Sequence, residues 1–431
     1  MGKKVEYAKD LMSFIGNSSS PFHSVIEGKK MLDNAGFNEL LMKDEWKIEK
    51  GGKYYIIPYS STIIAFTVGQ NIDKVGYKIV VSHTDSPSFK IKPISEINTE
   101  NYISLNTEVY GGPIYYTWLD RPISLAGKVA LRSNNLMKPV IKYIDFKKPI
   151  LTIPSLAIHM NREINKGMEF HPQIDTIPLI GQIKDNLEKD NYLISYIGKE
   201  LNVEVNDILD FELYLYLKEE SSFIGVNNEF VQAPKLDNLA MVYSSLQSIS
   251  SVENKNGINI AACFDNEEIG SKTKQGADSL LFTNILDRIS IALNKTKSKH
   301  YRMYEESFIL SADAAHALHP NKAEKHDPTN RPLLNKGIVI KLSARQSYAT
   351  DCETSGIVQQ LCEKTNIPYQ KFVNRSGIPG GQSLGPIISS FLPIKTADVG
   401  VPMLAMHSVK ELVGVEDLIN MGQLFNNLYS I

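Results

Sequence analysis

The stretch GINIAACFDNEEIGS, residues 257–271, is the one from which the rest of the chain can be read. Ile258 to Phe264 is an apolar run of strand length, and it leads straight into three acids, Asp265, Glu267 and Glu268, before Gly270 closes the turn. Two adjacent glutamates at the mouth of a buried strand are costly to place unless something cationic receives them. A metal ion is the simplest receiver.

The same pattern recurs on both sides of this stretch. Tyr77–Val81 (YKIVV) empties into SHTDSPSF, and ESFILSADAAHALHPN carries an apolar strand into Asp313. PMLAMHSVKELVG is an apolar run ending in His407 ahead of a helix, and in APKLDNLAMVYSSLQSIS Asp237 stands just before a helix expected from about Asn238 to Ser251. Each piece has a plainer reading alone. A strand-end HxD is often only a turn, and an Asp at a helix start is a good N-cap. The recurrence carries the argument: strands separated by helices indicate a mixed or parallel α/β sheet whose C-terminal strand ends share one edge. If all these strands lie in one sheet, His83, Asp237, Glu267, Glu268, Asp313 and His407 converge on a single cleft. Asp85, two residues beyond His83, is suited to accept the free imidazole N–H and fix its tautomer.

Outward from this core, helices are expected over Val5–Ile15 and Ser24–Ala35, and strands over Lys53–Pro58 and Thr62–Val68. From about Ile94 to Val231 the texture changes to recurrent prolines and alternating stretches such as VIKYIDF and FELYLYL, which suggest an antiparallel β module. The expected fold is a mixed-sheet α/β catalytic domain, residues 1–93 and 232–431, interrupted by a β-rich domain at 94–231. With 431 residues, 42% hydrophobic and 22% charged, the chain has an ordinary globular composition and is long enough for two domains. A net charge of −2 with interspersed signs gives no reason to expect nucleic acid or an anionic membrane as partner. No run approaches a membrane span, the N-terminus lacks a secretory signal pattern, and three cysteines without CxxC spacing imply no disulfide framework or thiolate zinc site. A reduced, cytoplasmic setting is expected, with Cys263 a small buried hydrophobe and His23 without a role.

Two histidines and several carboxylates, with no thiolate, suit zinc, manganese or cobalt. Charge counting favours two ions over one. With Asp237, Asp313 and one glutamate as ligands, one divalent ion leaves three negative charges under-neutralised, whereas two leave a surplus that a bridging hydroxide balances. The other glutamate is then free to act as general base.

Taken in order, SHTDSP, LDN, DNEEIGS, SADAAHALHPN and AMHSVKE resemble the aspartyl aminopeptidase and vacuolar aminopeptidase I family of dinuclear zinc exopeptidases. The resemblance runs over essentially the whole chain and includes SPFHSV, YGGPIYYTWLDRPISLAGKV, IPSLAIHMNREIN and NRSGIPGGQSLGPI. It implies a metal-dependent aminopeptidase that releases single N-terminal residues, acidic or neutral, from peptides, with an inserted domain that mediates dimerisation and dimers that assemble into a dodecamer. Residue by residue, it implies Asp237 as the ligand bridging two ions, His83 and Asp313 completing one site, Glu268 and His407 the other, Asp85 supporting His83, and Glu267 as general base for a metal-activated hydroxide. It further implies that His159 reaches a neighbouring subunit's site, and that Lys341 receives an acidic substrate side chain; alone, His159 reads as a surface histidine and Lys341 as a solvated strand-edge charge. Ser376 and Gly377 stand where many members carry an acid, which leaves the first-residue preference open. The alternatives are a related dinuclear carboxypeptidase or deacylase and, from another class, a self-assembling scaffold with a vestigial site.

Overall fold

The computed structural model describes residues 2–72, 75–183, 191–378 and 380–431. Residues 184–190 of the β-rich segment and Pro379 of the glycine-rich loop lie outside the described residues.

A nine-stranded mixed sheet forms the spine, in the spatial order Asn38–Glu39, Lys53–Tyr59, Thr62–Val68, Ile258–Phe264, Tyr77–His83, Phe308–Ala312, Lys395–Gly400, Ile338–Lys341, Tyr369–Phe372. Its four central strands, from Ile258–Phe264 to Lys395–Gly400, are parallel. Every residue of Ile258–Phe264 and of Tyr77–His83 is buried, as strands covered on both faces must be. The pleat sends alternate side chains to opposite faces. Val80, Ala261 and Leu310 join a core under the helices Gly2–Asn17, Pro21–Asn34, Leu236–Ser251 and Val415–Tyr429, whereas Ile79, Val81, Ile260 and Ile309 join a second core under the helix Leu281–Ala292.

Register then fixes the site. Phe264 pairs with His83, and Ser311 pairs with Val81, so the chain leaves both neighbours of the Tyr77–His83 strand at one level. His83, Asp265 onward and Asp313 therefore emerge at one edge of the sheet.

A second, six-stranded antiparallel sheet is built from Ser88–Thr99, Tyr102–Tyr110, Ile123–Leu131, Val140–Asp145, Leu179–Gln182 and Ile208–Leu217, and encloses its own core around Phe89, Trp118 and Leu213. Its first strand starts at Ser88, directly after the SHTDSP turn, ahead of the composition change at Ile94.

One premise of the sequence reading is corrected. Asp237 and His407 do not hang from the nine-stranded sheet. They follow strands of a third sheet, ordered Ser222–Ile224, Phe230–Ala233, Glu411–Gly414, Pro402–Leu404, Ala315–His316. Nor does His407 end a strand ahead of a helix. It sits in the turn of a hairpin, Pro402–Leu404 pairing antiparallel with Glu411–Gly414, and the helix begins only at Val415. The reason is long-range: Glu411–Gly414 is claimed as a strand by Phe230–Ala233. Among the described residues, no helix is long and apolar enough to cross a membrane.

Candidate metal centre

His83 is almost completely enclosed, with 1% of its side chain exposed, and its Nε2 lies 3.4 Å from Asp237 Oδ1, 3.7 Å from Asp313 Oδ1 and 3.9 Å from Glu267 Oε2. His407 Nε2 lies 3.7 Å from Asp237 Oδ2 and 3.5 Å from Glu268 Oε2. The two carboxylate oxygens of Asp237 thus face two different histidines. Three triads of ligand atoms fall within metal-binding reach of one another: His83–Asp237–Asp313, Asp237–Glu268–His407 and His83–Glu267–Glu268.

Both imidazoles are turned the same way. His83 Nδ1 is 3.1 Å from the Asp85 backbone carbonyl and 3.3 Å from its Oδ1; His407 Nδ1 is 3.1 Å from the Gly112 carbonyl. A carbonyl can only accept, so these partners assign the proton to Nδ1 and leave each Nε2 lone pair for the cluster. The Asp85 carboxylate has further work: it accepts the Tyr110 hydroxyl at 2.8 Å and the backbone N–H groups of Glu267 and Glu268 at 3.2 Å each. Asp85 therefore holds His83 and the glutamate pair together.

The donor set fits a cation. Asp237 is buried, and its Oδ1 has no hydrogen-bond partner among the described residues; an enclosed carboxylate oxygen without a donor is strongly disfavoured unless an ion receives it. Asp237 does not cap its helix: Lys235 occupies the cap, and Asp237 Oδ1 receives no backbone N–H among the described residues. Charge crowding tells the same story. Burial, with Asp237 adding its repulsion, holds the Glu268 carboxyl well above its ordinary range. Burial likewise lifts Glu267 to about 8, where repulsion by Asp313, Asp85 and Asp237 adds to it and His83 works against it. At His83, burial disfavours the proton, but Asp237, Asp313 and Asp85 outweigh it and pull the imidazole well above its usual value. All three shifts mark a cluster that favours added positive charge.

Lys341 is not a solvated strand-edge charge. It is 1% exposed, and Nζ donates to Asp313 Oδ2 and to the Ala314 carbonyl, 3.1 Å each. Against the burial that would raise it, Lys341 and His83 hold the Asp313 carboxyl far below the usual carboxylate range. Lys341→Met keeps the length and removes the cation. The expected loss is about 2–4 kcal/mol, somewhat under that for breaking a fully enclosed pair, since Asp313 keeps 18% of its side chain exposed. The urea midpoint of the metal-stripped protein reads it, and an unchanged midpoint would contradict the pairing.

His159 lies apart from the cluster, on an exposed stretch of the β-rich module where Leu156, Ile158 and Met160 are also exposed. Asp265 accepts from the Asn266 N–H and the Ser61 hydroxyl and serves the turn. Cys263 is buried beside Ser82. His23 Nδ1 lies 2.8 Å from the Ser20 hydroxyl, away from the centre. Three contributors escaped the sequence reading: Tyr110 and Gly112, inside a stretch read only as turn chemistry, and Glu411, inside AMHSVKE.

A family model described as aminopeptidase I zinc metalloprotease (M18) matches residues 14–429. The chain belongs to the M18 peptidase family. It is 48% identical over 433 residues to a probable M18 family aminopeptidase 2 of Clostridium novyi, covering 100% of both. It is 37% identical over 465 residues to aspartyl aminopeptidase 4 of Saccharomyces cerevisiae, covering 99% of this chain and 95% of that one. Among solved structures it resembles a chain of the Ape4 and Nbr1 complex, with a TM-score of 0.94 at 32% identity over 99% of this chain and 86% of that one. The S. cerevisiae mApe1 dodecamer gives a TM-score of 0.85 at 26% identity, covering 99% and 97%. This M18 protein is accordingly a metal-dependent aminopeptidase with the family's mixed α/β fold, and its family sets the scaffold reading aside.

Proposed function

We propose that the centre holds two divalent ions, zinc first among them with cobalt or manganese as substitutes. His83, Asp237 and Asp313 would form one site, Asp237, Glu268 and His407 the other. The observation that carries this is the bridging geometry of Asp237, one oxygen 3.4 Å from His83 Nε2 and the other 3.7 Å from His407 Nε2. When bound, such ions polarise a carbonyl and lower the pKa of a water.

Glu267 belongs to neither triad that shares Asp237. Its carboxylate is the group left to take a proton from water and return it to the leaving amine. Asp85 would keep it in reach by receiving its backbone N–H. The cluster opens on the His407 side, where 31% of that side chain is exposed against 1% of His83, so the peptide's free amino end enters there.

The proposed substrates are peptides with an acidic first residue, neutral ones being second choice. Lys341 has three ammonium protons, two committed to Asp313 and Ala314, and the third is the proposed donor to the substrate's side chain. The relative named aspartyl aminopeptidase lends support. The domain reading, with residues 94–231 as the dimerisation domain inserted between 1–93 and 232–431, remains part of the proposal. So does assembly of dimers into a dodecamer, with His159 entering a neighbour's site from its exposed apolar loop; the mApe1 neighbour is a dodecamer. A cytoplasmic setting is proposed with it.

The test is a panel of aminoacyl substrates, acidic against leucyl and basic, assayed with defined zinc, cobalt and manganese. Acidic substrates should be cleaved fastest, and N-acetylation should abolish cleavage. Equal cleavage of acetylated peptides would favour the carboxypeptidase or deacylase alternative instead.

A further inference from the structure

Glu411 is 2% exposed and belongs to none of the ligand triads, yet each of its carboxylate oxygens is committed to a residue that does. Oε2 accepts the backbone N–H of Asp237 at 2.9 Å, and Oε1 accepts the backbone N–H of His407 at 2.7 Å. Both bonds lie in an enclosed setting, where a backbone N–H left without its acceptor is costly.

The two residues it ties together arrive from different places. Asp237 follows the strand Phe230–Ala233 at the start of a helix, and His407 sits in the hairpin turn between Pro402–Leu404 and Glu411–Gly414. The pairing of Ala233 with Glu411 sets the glutamate beside both. His407 has φ +66, a left-handed conformation that a residue with a Cβ adopts only when its surroundings impose it. The Glu411 acceptor on its N–H, the Gly112 carbonyl on its Nδ1 and the Ile114 N–H on its own carbonyl hold it there. Gly111 crowds the third ligand from the same side: a Cβ there would lie 3.1 Å from Glu268 Cβ. By contrast, His83 and Asp313 are held by Asp85 and Lys341, with no contribution from Glu411.

We propose that Glu411 is a positioning residue whose two-oxygen clamp governs the Asp237–Glu268–His407 site, where it holds two of the three ligands, so that the ion there depends on Glu411 more strongly than the ion at His83–Asp237–Asp313, where it holds only the shared Asp237. The inference rests on the two-ion reading above and adds an unequal dependence between the sites. Glutamine at this position has a single oxygen to accept with, and its amide N–H₂ must face the other backbone N–H. Aspartate keeps the carboxyl group but is too short to span both donors.

The experiment is a chelator-competition titration, with zinc and with cobalt, of the full native chain, E411Q and E411D, together with melting of the metal-stripped forms. The native protein should bind two ions per chain. Both variants should lose about 10- to 100-fold in affinity for one ion and clearly less for the other, while the stripped variants melt no lower than the stripped native protein. Native affinities in E411Q would overturn the inference. So would equal weakening of both ions with a lower melting point of the stripped variant, since that marks a general structural role. Restoration by E411D would overturn the two-donor clamp, since any carboxyl at this position would then suffice. A native chain that binds one ion would bring down the two-site reading itself, and the clamp with it.

Discussion

Glu267→Gln is expected to lower kcat by about 10²- to 10⁴-fold while metal content stays at the native value. Glutamine copies the shape of Glu267 and keeps its backbone N–H, which donates to Asp85 Oδ1 at 3.2 Å, so the loop keeps its anchor. What it removes is the ability to take up a proton. The environment marks this carboxylate for that task. Burial first, then repulsion by Asp313, Asp85 and Asp237, raise it to about 8, with His83 as the opposing influence. A bound cation would lower this value toward the operating pH, where a general base works best. Its neighbour Glu268 lies 3.5 Å from His407 Nε2 and shares a triad with Asp237, so Glu268→Gln should differ in kind and lose metal. Metal analysis beside kcat on both variants separates the roles. Unchanged peptide cleavage by E267Q with metal retained would refute the assignment.

The nine-stranded sheet was legible because its central strands carry their burial in their composition: Ile258–Phe264 and Tyr77–His83 are buried throughout, and acids or a histidine stand where each one ends. The Thr62–Val68 and Ile258–Phe264 strands were found residue for residue. The helix expected from about Asn238 ends at Ser251 as expected, and its regular turns begin just past Asn238, since Asp237 and Asn238 depart from helical geometry. What local sequence could not carry was pairing between distant segments. ELVG looks like the lead into a helix until Phe230–Ala233 pairs with it, and only that pairing makes His407 a hairpin-turn residue. Convergence of the six candidate residues survived although its premise did not, because the third sheet delivers Asp237 and His407 to the edge where the first delivers His83 and Asp313. Lys341 illustrates a different limit. A lysine flanked by Ile340 and Leu342 reads as an edge charge, and only the position of Asp313 across the sheet makes its burial tolerable.

Removing the metal should abolish activity and lower the melting temperature, and the loss should grow as pH rises from about 5.5 to about 8.5. Ions that bind only the folded chain stabilise it by about 2.7 kcal/mol per site at a free concentration 100 times Kd. Without them the cluster falls back on protons. Glu267 and Glu268 have folded pKa values above their unfolded ones, Glu267 at about 8. The folded, metal-free chain therefore holds protons that the unfolded chain releases near the ordinary glutamate value. The stabilising contribution is complete below that value and is lost as pH climbs through the folded one. His83, also raised, acts in the same direction, its contribution present below the ordinary histidine value and lost above its folded one. Asp313 works oppositely: its folded value is depressed, so its contribution fails only in strong acid and stays constant across this window. Metal affinity in turn rises with pH, because ions displace these same protons. The melting curve of the stripped protein should thus fall with pH while that of the loaded protein holds, so the two diverge toward alkaline conditions. Calorimetry with and without chelator at several pH values reads this directly. A stripped protein that grows more stable across the window would contradict a carboxylate cluster, as would a chelated protein, its metal loss verified, that melts like the loaded one.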